Sequence, residues 1–151
     1  GGVAPNFKGW WDDKVAELYE RLEIPAYLSF EEMIDDSKPD IVFSLNYWKK
    51  ISPEYISKVE KGIINIHPAL LPNYGGKGMY GSRVHEAVVA AGEKETGITI
   101  HWVDSHYDEG DIIFQAKCAV DPSDTPTTVA EKIHVLEHQH FAPTIEKILL
   151  K

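Results

Sequence analysis

The chain has 151 residues, of which 43% are hydrophobic and 26% are charged, and these values fit one globular domain and exclude a disordered or fibrous protein. Fifteen Lys and Arg residues against twenty-four Asp and Glu residues give a formal net charge of −9, which disfavours a nucleic-acid partner because it repels phosphate backbones. Cys118 is the only cysteine and no apolar run is long enough to span a membrane. We therefore expect a cytoplasmic protein with no membrane partner.

The first forty residues combine turn signals with two helical patterns. Turn-forming residues crowd positions 1–9, and apolar residues at helical spacing predict a helix over 14–22. The sequence Ser29-Phe30-Glu31-Glu32 has the capping-box pattern, in which a hydroxyl and a carboxylate satisfy the first backbone N–H groups of a helix. We therefore predict a second, short helix from Ser29 to Asp36.

Two short runs rich in β-branched residues, at 41–45 and 63–67, are typical of strands that are buried on both faces. Between them, Ser52 and Pro53 have the residue types preferred at the start of a helix. We predict that this helix ends at about Lys61. A strand, a helix and a second strand in this order predict a parallel pair.

A Gly- and Pro-rich loop over 68–81 is followed by a predicted helix over 82–91. Alternating apolar residues predict two antiparallel strands, over 97–103 and 112–120. A final helix is predicted over 128–150, with an interruption at Pro143. The pattern predicts an α/β fold, with a mostly parallel sheet that gains antiparallel strands toward its C-terminal half. Ligands of open α/β sheets bind at the carboxyl ends of the strands. The long loop begins at such an end, so we expect the functional site there.

Two polar residues, Asn65 and His67, occupy the end of the second buried strand, on one face because side chains alternate along a strand. An amide N–H can stabilise negative charge that develops on a carbonyl oxygen, and an imidazole can exchange a proton near neutral pH. This pair suits acyl transfer, and Asp108 in the acidic connection 104–110 can hold the imidazole. The same residues also fit a hydrogen-bonded strand end without catalysis, and the spacing alone leaves both readings open.

Histidines elsewhere in the chain raise two metal hypotheses. His134 and His138 are one helical turn apart with His140 nearby, which is a spacing that can bind structural zinc. A metal-dependent hydrolase would instead use His67, His106 and Asp108. No H-E-x-x-H motif or cysteine pair accompanies either set, so we expect no metal.

Two segments resemble the signatures of the folate-dependent formyltransferases. One is Asn65-Ile66-His67-Pro68-Ala69-Leu70-Leu71-Pro72-Asn73-Tyr74-Gly75-Gly76, and the other is Tyr107-Asp108-Glu109-Gly110-Asp111-Ile112-Ile113. The loop Gly76-Lys77-Gly78-Met79-Tyr80-Gly81, followed by Val84-His85-Glu86-Ala87, is most similar to the glycinamide ribonucleotide branch of that family. The resemblance extends from about Ile41 to Leu150.

The resemblance implies a Rossmann-like fold and transfer of a formyl group from 10-formyltetrahydrofolate to the primary amine of glycinamide ribonucleotide, a reaction of purine biosynthesis and one-carbon metabolism. In this reaction Asn65 would stabilise the oxyanion, His67 would transfer the proton, and Asp108 would keep His67 charged and positioned. The partners implied are small molecules, and the protein would be a monomer or a homodimer.

The resemblance also implies binding residues. The cofactor-binding set comprises Trp48, Lys49, Lys50, Ile51, Asn65 and Tyr107. The sequence departs from the family at two of these positions, since relatives commonly carry a smaller apolar residue in place of Trp48 and an arginine in place of Lys49. Glu137 matches the position that holds the ribose hydroxyls of the acceptor substrate.

Family members open with a strand, a glycine-rich phosphate-binding turn and a helix, and residues 1–9 do not match this pattern. We therefore expect residues 1–151 to form a single catalytic domain that lacks the N-terminal βα unit. Alternative functions are formyl transfer to another amine, such as a nucleotide-linked amino sugar or methionyl-tRNA, and folate binding without catalysis.

Overall fold

The computed structural model describes residues 2–3, 26–27, 29–45 and 49–150. The helix predicted over 14–22 lies outside these residues. The elements, in chain order, are strand β1 (Gly2–Val3), strand β2 (Ala26–Tyr27), helix α1 (Phe30–Ser37), strand β3 (Val42–Leu45), helix α2 (Pro53–Ser57), strand β4 (Ile63–His67), helix α3 (Ser82–Ala90), strand β5 (Glu95–Trp102), strand β6 (Ile112–Ala119) and helix α4 (Pro126–Leu149).

Strands β3 to β6 form one sheet in sequential order, with β3 and β4 parallel and the pairs β4–β5 and β5–β6 antiparallel. Strands β1 and β2 form a separate parallel pair. Strand β1 was not predicted, since residues 2 and 3 lie among the turn-forming residues of positions 1–9. The parallel pairing of β3 with β4 and the antiparallel pairing of β5 with β6 were predicted. Because β4 also pairs antiparallel with β5, this sheet is mixed rather than mostly parallel.

Strand β4 is buried on both faces, as its apolar sequence predicted. The side chain of Ile63 belongs to one core cluster with residues of α1 and β3, whereas Ile64 and Ile66 belong to a second cluster with Val129 and Ile133 of α4. Because both clusters contain β4 residues, this strand is fixed from two sides. Its C-terminal end, which carries Asn65 and His67, is therefore anchored to both cores.

Helices α2 and α4 differ from their predicted extent. Helix α1 begins as predicted, with the Ser29 hydroxyl accepting a hydrogen bond from the backbone N–H of Glu32 at 3.0 Å. Helix α2 ends at Ser57 rather than near Lys61, because the chain changes to tighter i→i−3 hydrogen bonds at Lys58 and Val59.

Helix α4 continues through Pro143 rather than breaking there. Proline removes one helical hydrogen bond, but residues on both sides of it, Phe141 and Ile148, pack against the second core cluster. This packing holds the two parts of the helix in line. Among the described residues, no helix combines the length and the apolar character needed to cross a membrane.

Candidate active site

His67 is the last residue of β4, and only 4% of its surface is exposed. Its Nε2 atom lies 2.8 Å from the carbonyl oxygen of Tyr74. Since a carbonyl oxygen only accepts hydrogen bonds, Nε2 carries a proton and donates it. In the neutral ring Nδ1 is then unprotonated, and it lies 3.7 Å from Oδ2 of Asp108.

Asp108 lies in the loop between β5 and β6 and has a left-handed backbone conformation, with φ +57°. Its Oδ2 atom accepts a hydrogen bond from the backbone N–H of Gly76 at 2.9 Å. Its Oδ1 atom lies 3.7 Å from Nε2 of His101. The carboxylate therefore lies between two buried imidazole rings, with one oxygen directed to each.

Asn65 pairs across the sheet with His101 on β5. The Nδ1 atom of His101 lies 2.9 Å from the carbonyl oxygen of Trp102 and donates to it, so Nε2 of the neutral ring accepts. That Nε2 atom lies 3.3 Å from the amide nitrogen of Asn65. One amide N–H of Asn65 is thus directed to His101, and the other N–H is left for a substrate oxygen.

The sequence analysis missed His101 as a site residue. The alternation of side chains along β5 predicted which face of the strand His101 occupies. Which residue of β4 lies opposite His101 depends on the register between the two strands. The pairing of Asn65 with His101 depends on that register. A histidine on the same face as Thr99 in β5 was the available signal, and it was not sufficient to identify the contact.

Burial lowers the pKa of His67, and this effect exceeds the raising effects of the Asp108 carboxylate and of the Tyr74 carbonyl. The nearby His101 ring lowers it further. The ring is therefore neutral near pH 7. The expectation that Asp108 keeps His67 charged and positioned stays a prediction; the carboxylate raises the pKa of the ring, but burial lowers it more.

Asn65, His67 and Asp108 line one small cleft, together with Ile66, Pro68, Gly76, Gly78, Met79, Tyr80 and Tyr107. A second, more open groove shares Gly76, Tyr107 and Asp108 with the cleft and continues along Leu71 and Pro72. The structure thus brings the three predicted catalytic residues to one surface, at the carboxyl end of β4. A small substrate can contact all three there.

The first residues of the loop after β4 are held by hydrogen bonds to the sheet. The hydroxyl of Thr99, fully buried on β5, donates to the carbonyl oxygen of Ala69 at 2.7 Å and accepts from the backbone N–H of Leu71 at 3.0 Å. The amide of Gln115 on β6 donates to the carbonyl oxygen of Leu71 at 3.0 Å. These bonds fix the direction in which the loop leaves the sheet.

The predicted cofactor-binding residues fall in different surroundings. Trp48 lies outside the described residues. Lys49 and Lys50 are exposed, and the ammonium of Lys50 lies 5.9 Å from the ring centre of Tyr107, which lines the cleft. Ile51 is 6% exposed and belongs to the first core cluster. The placement of Tyr107 and Lys50 beside the cleft is compatible with cofactor contact, which stays a prediction for all of these residues.

Glu137 lies on α4 and is half-buried. Burial raises the pKa of its carboxyl group, and the neighbouring rings of His134 and His138 oppose this effect. Glu137 is not among the residues that line the cleft. Its contact with the ribose of a substrate stays a prediction.

No group of three or more His, Cys, Asp or Glu side chains is arranged to hold a metal ion within the described parts of the chain. His134, His138 and His140 therefore do not form the zinc site that their spacing suggested. His67, His106 and Asp108 do not form one either, and the side chain of His106 is 64% exposed and contacts Asp104. The geometry gives no support to the two metal hypotheses.

Comparison with known proteins identifies the family. The family model described as "Formyl transferase" matches residues 26–145, which is most of the chain. The chain belongs to the formyl transferase family. Both signature segments, around His67 and Asp108, lie within the matched range. This confirms the family resemblance found in the sequence.

Curated relatives agree with this assignment. The chain is 44% identical over 127 residues to "Phosphoribosylglycinamide formyltransferase, chloroplastic" of Vigna unguiculata, which covers 82% of this chain and 41% of the relative. It is 32% identical over 120 residues to "Trifunctional purine biosynthetic protein adenosine-3" of Bos taurus, covering 80% of this chain and 11% of that protein. The chain thus spans less than half the length of these relatives.

Solved structures of the family share the fold. The crystal structure of phosphoribosylglycinamide formyltransferase from Bacillus halodurans superposes with a TM-score of 0.78 at 32% identity, over 91% of this chain and 76% of that chain. The protein of the same name from Streptococcus pneumoniae gives a TM-score of 0.75 at 28% identity, over 91% and 82% of the two chains. The predicted α/β formyltransferase-like fold is confirmed.

Proposed function

We propose that this chain transfers a formyl group from 10-formyltetrahydrofolate to the primary amine of glycinamide ribonucleotide. The observation that carries the proposal is the convergence of three groups on one cleft: the Asn65 amide, the buried His67 ring and the Asp108 carboxylate, 3.7 Å from that ring. Family membership and relatives named for this activity support the same conclusion.

In this reaction the amine nitrogen attacks the formyl carbon, forming the new N–C bond, and the bond from that carbon to the donor nitrogen breaks. The free amide N–H of Asn65 donates to the formyl oxygen as negative charge develops on it. Neutral His67 accepts the proton from the attacking amine and returns it to the departing nitrogen. While His67 carries that proton, the Asp108 carboxylate stabilises its positive charge.

The cleft has the polar groups that a formyl donor requires. Asn65 lines the cleft, and the amide N–H that is not directed to His101 can donate a hydrogen bond to a formyl oxygen. Tyr107 lines both the cleft and the adjoining groove. We expect an extended donor with an aromatic ring to lie along this surface, with its formyl group at Asn65.

The acceptor amine is the second part of the proposal. The relatives named for phosphoribosylglycinamide favour this acceptor over a nucleotide-linked amino sugar, and the net charge of −9 disfavours methionyl-tRNA. We also propose that Glu137 contacts the ribose of the acceptor and that residues 1–151 form a single catalytic domain. The protein is further proposed to be cytoplasmic and to be a monomer or a homodimer. Plant relatives are named as chloroplastic.

The test is a formyl-transfer assay with 10-formyltetrahydrofolate and glycinamide ribonucleotide, comparing the wild-type chain with His67→Ala. We expect His67→Ala to reduce kcat by about 10²-fold or more, the scale of general-base losses. His106→Ala is the matched control, because that imidazole is exposed and 3.8 Å from Asp104 rather than at the cleft. The control should retain wild-type kcat.

Other outcomes distinguish the alternatives. Donor binding without transfer supports the alternative of folate binding without catalysis. Transfer only to an amino sugar or only to methionyl-tRNA would show that this amine, and not glycinamide ribonucleotide, is the acceptor. Hydrolysis that a chelator abolishes supports the metal-dependent hydrolase. Equal activity of His67→Ala and His106→Ala contradicts the proposed catalytic role of His67.

A further inference from the structure

Tyr74 lies in the loop between β4 and α3 with a left-handed backbone conformation, φ +56°. Residues with a side chain rarely adopt this conformation, because Cβ approaches the following carbonyl oxygen. The carbonyl oxygen of Tyr74 is nevertheless the partner of His67 Nε2 at 2.8 Å. The orientation of this one peptide group therefore decides which ring nitrogen of His67 is protonated.

The side chain of Tyr74 makes a solvent-exposed contact with the chain just after α3. Its phenol donates a hydrogen bond to Oε1 of Glu93 at 2.6 Å. Glu93 follows the C-terminal end of α3, and its backbone N–H donates to the carbonyl oxygen of Val88 at 3.3 Å. The hydrogen bond to Glu93 raises the pKa of the Tyr74 phenol, so the phenol stays protonated near neutral pH. The bond thus connects the loop to the end of a helix.

The next two residues connect the same segment to Asp108. A Cβ added at Gly75 would lie 3.2 Å from the Cβ of Asp108 and 2.5 Å from a methyl group of Leu71, so the backbone passes close to both side chains. The backbone N–H of Gly76 donates to Oδ2 of Asp108 at 2.9 Å. Residues 74–76 thus hold His67 through a carbonyl group and Asp108 through an N–H group.

We propose that Tyr74 and Glu93 are positioning residues, whose hydrogen bond keeps residues 74–76 in the conformation that fixes His67 with Nδ1 unprotonated and directed to Asp108. Neither side chain is proposed to touch the substrate. The kinetic consequences rest on the proposed function, but the effect on the His67 tautomer does not. The alternative is that the contact is a surface hydrogen bond without influence on the site.

The test uses three variants and a matched control. Tyr74→Phe and Glu93→Ala remove the hydrogen bond, whereas Glu93→Gln retains an oxygen that can accept it. The control is Tyr55→Phe, since the Tyr55 phenol donates to Asp35 at 3.1 Å between α2 and α1, among residues that line neither cleft. This control removes the same kind of bond elsewhere in the molecule.

The first measurement is the ¹⁵N spectrum of the histidine rings in the free protein at about pH 8, above the ordinary histidine pKa, so that the neutral tautomers are compared. The groups around His67 are Asp108, His101 and His85, and none of them is altered in these variants. We expect one His67 tautomer, protonated at Nε2, in the wild type, Glu93→Gln and Tyr55→Phe. We expect a mixture in Tyr74→Phe and Glu93→Ala.

The second measurement is the steady-state kinetics of formyl transfer. We expect kcat to fall about threefold to tenfold in Tyr74→Phe and Glu93→Ala with little change in KM, because a misplaced base impairs the chemical step more than binding. Wild-type tautomer populations in both of these variants overturn the proposal, whatever reaction the chain catalyses. If the wild type transfers no formyl group, the proposed function fails and the spectra still decide the role of Tyr74.

Discussion

The two ring nitrogens of His67 differ in what they can do. Nε2 donates to a backbone carbonyl group, whereas Nδ1 faces Asp108 and is the atom that can receive a proton. Burial favours the neutral ring, and the Asp108 carboxylate favours the charged form. An imidazole that is neutral in the free protein, and whose charged form a nearby carboxylate stabilises, is suited to carrying one proton between two substrate nitrogens.

This arrangement predicts the titration of His67 in the free protein, followed by the NMR signals of its ring. Its pKa should lie below the ordinary value of about 6.5, and Asp108→Asn should lower it further because a carboxylate that raises it is lost. Since the folded pKa lies below the unfolded value, protonation of His67 also destabilises the folded state as pH falls through that interval. A pKa above the ordinary value, or an increase in Asp108→Asn, contradicts the proposed balance.

The residues of the site were predictable to different degrees. Asn65 and His67 could be assigned to one face of a strand because strand alternation is a local property. The acidic connection 104–110 suggested Asp108, the resemblance pointed to the same residue, and the structure shows its distance from His67. His101 and Tyr74 could not be found, because their contacts depend on strand register and on the orientation of one backbone carbonyl group.

At the scale of elements, the loop that carries Asp108 is shaped by its return to β6. Gly110 is buried against β5, where the carbonyl oxygen of Trp102 occupies the place that a Cβ would need. The backbone N–H of Trp102 donates to the carbonyl oxygen of Asp111 at 2.9 Å. Residues 110 and 111 therefore lie close to the backbone of β5, which restricts where the preceding Asp108 can lie.

Gly110→Ala should separate the loop from β5. We expect the free energy of unfolding to decrease by about 1–3 kcal/mol, the usual cost of forcing an extra group into a packed site, with a loss of kcat as Asp108 moves. Urea denaturation measures the first effect. Glu109→Ala is the matched control, since that side chain is exposed one residue away, and equal stability of the two variants contradicts this account of the loop.

The elements also show where local patterns are sufficient. The limits of β4 were predicted exactly as observed, because a short apolar run between breaking residues has few alternatives. The end of α2 and the continuation of α4 through Pro143 were not, since they depend on tighter hydrogen bonds and on packing against the core. Packing with distant residues is not encoded in a local sequence pattern.

At the scale of the whole molecule, β4 connects the two core clusters and ends at the cleft. Helix α4 covers one face of the sheet through Val129 and Ile133, and α1 packs on the other through Phe30 and Ile34. Asn65 and His67, the proposed catalytic side chains of β4, therefore extend from a strand held on both faces, whereas Asp108 is brought to them by a loop. This is the usual division in α/β proteins between a stable sheet and functional loops at its edge.

The central claim is that His67 and Asp108 act as one unit on a formyl group held by Asn65. The most direct test is kcat for formyl transfer in His67→Ala, in Asp108→Ala and in the double variant. The account predicts that the double variant is about as slow as His67→Ala alone, because residues that act as a unit have non-additive effects. Losses that multiply in the double variant would contradict it.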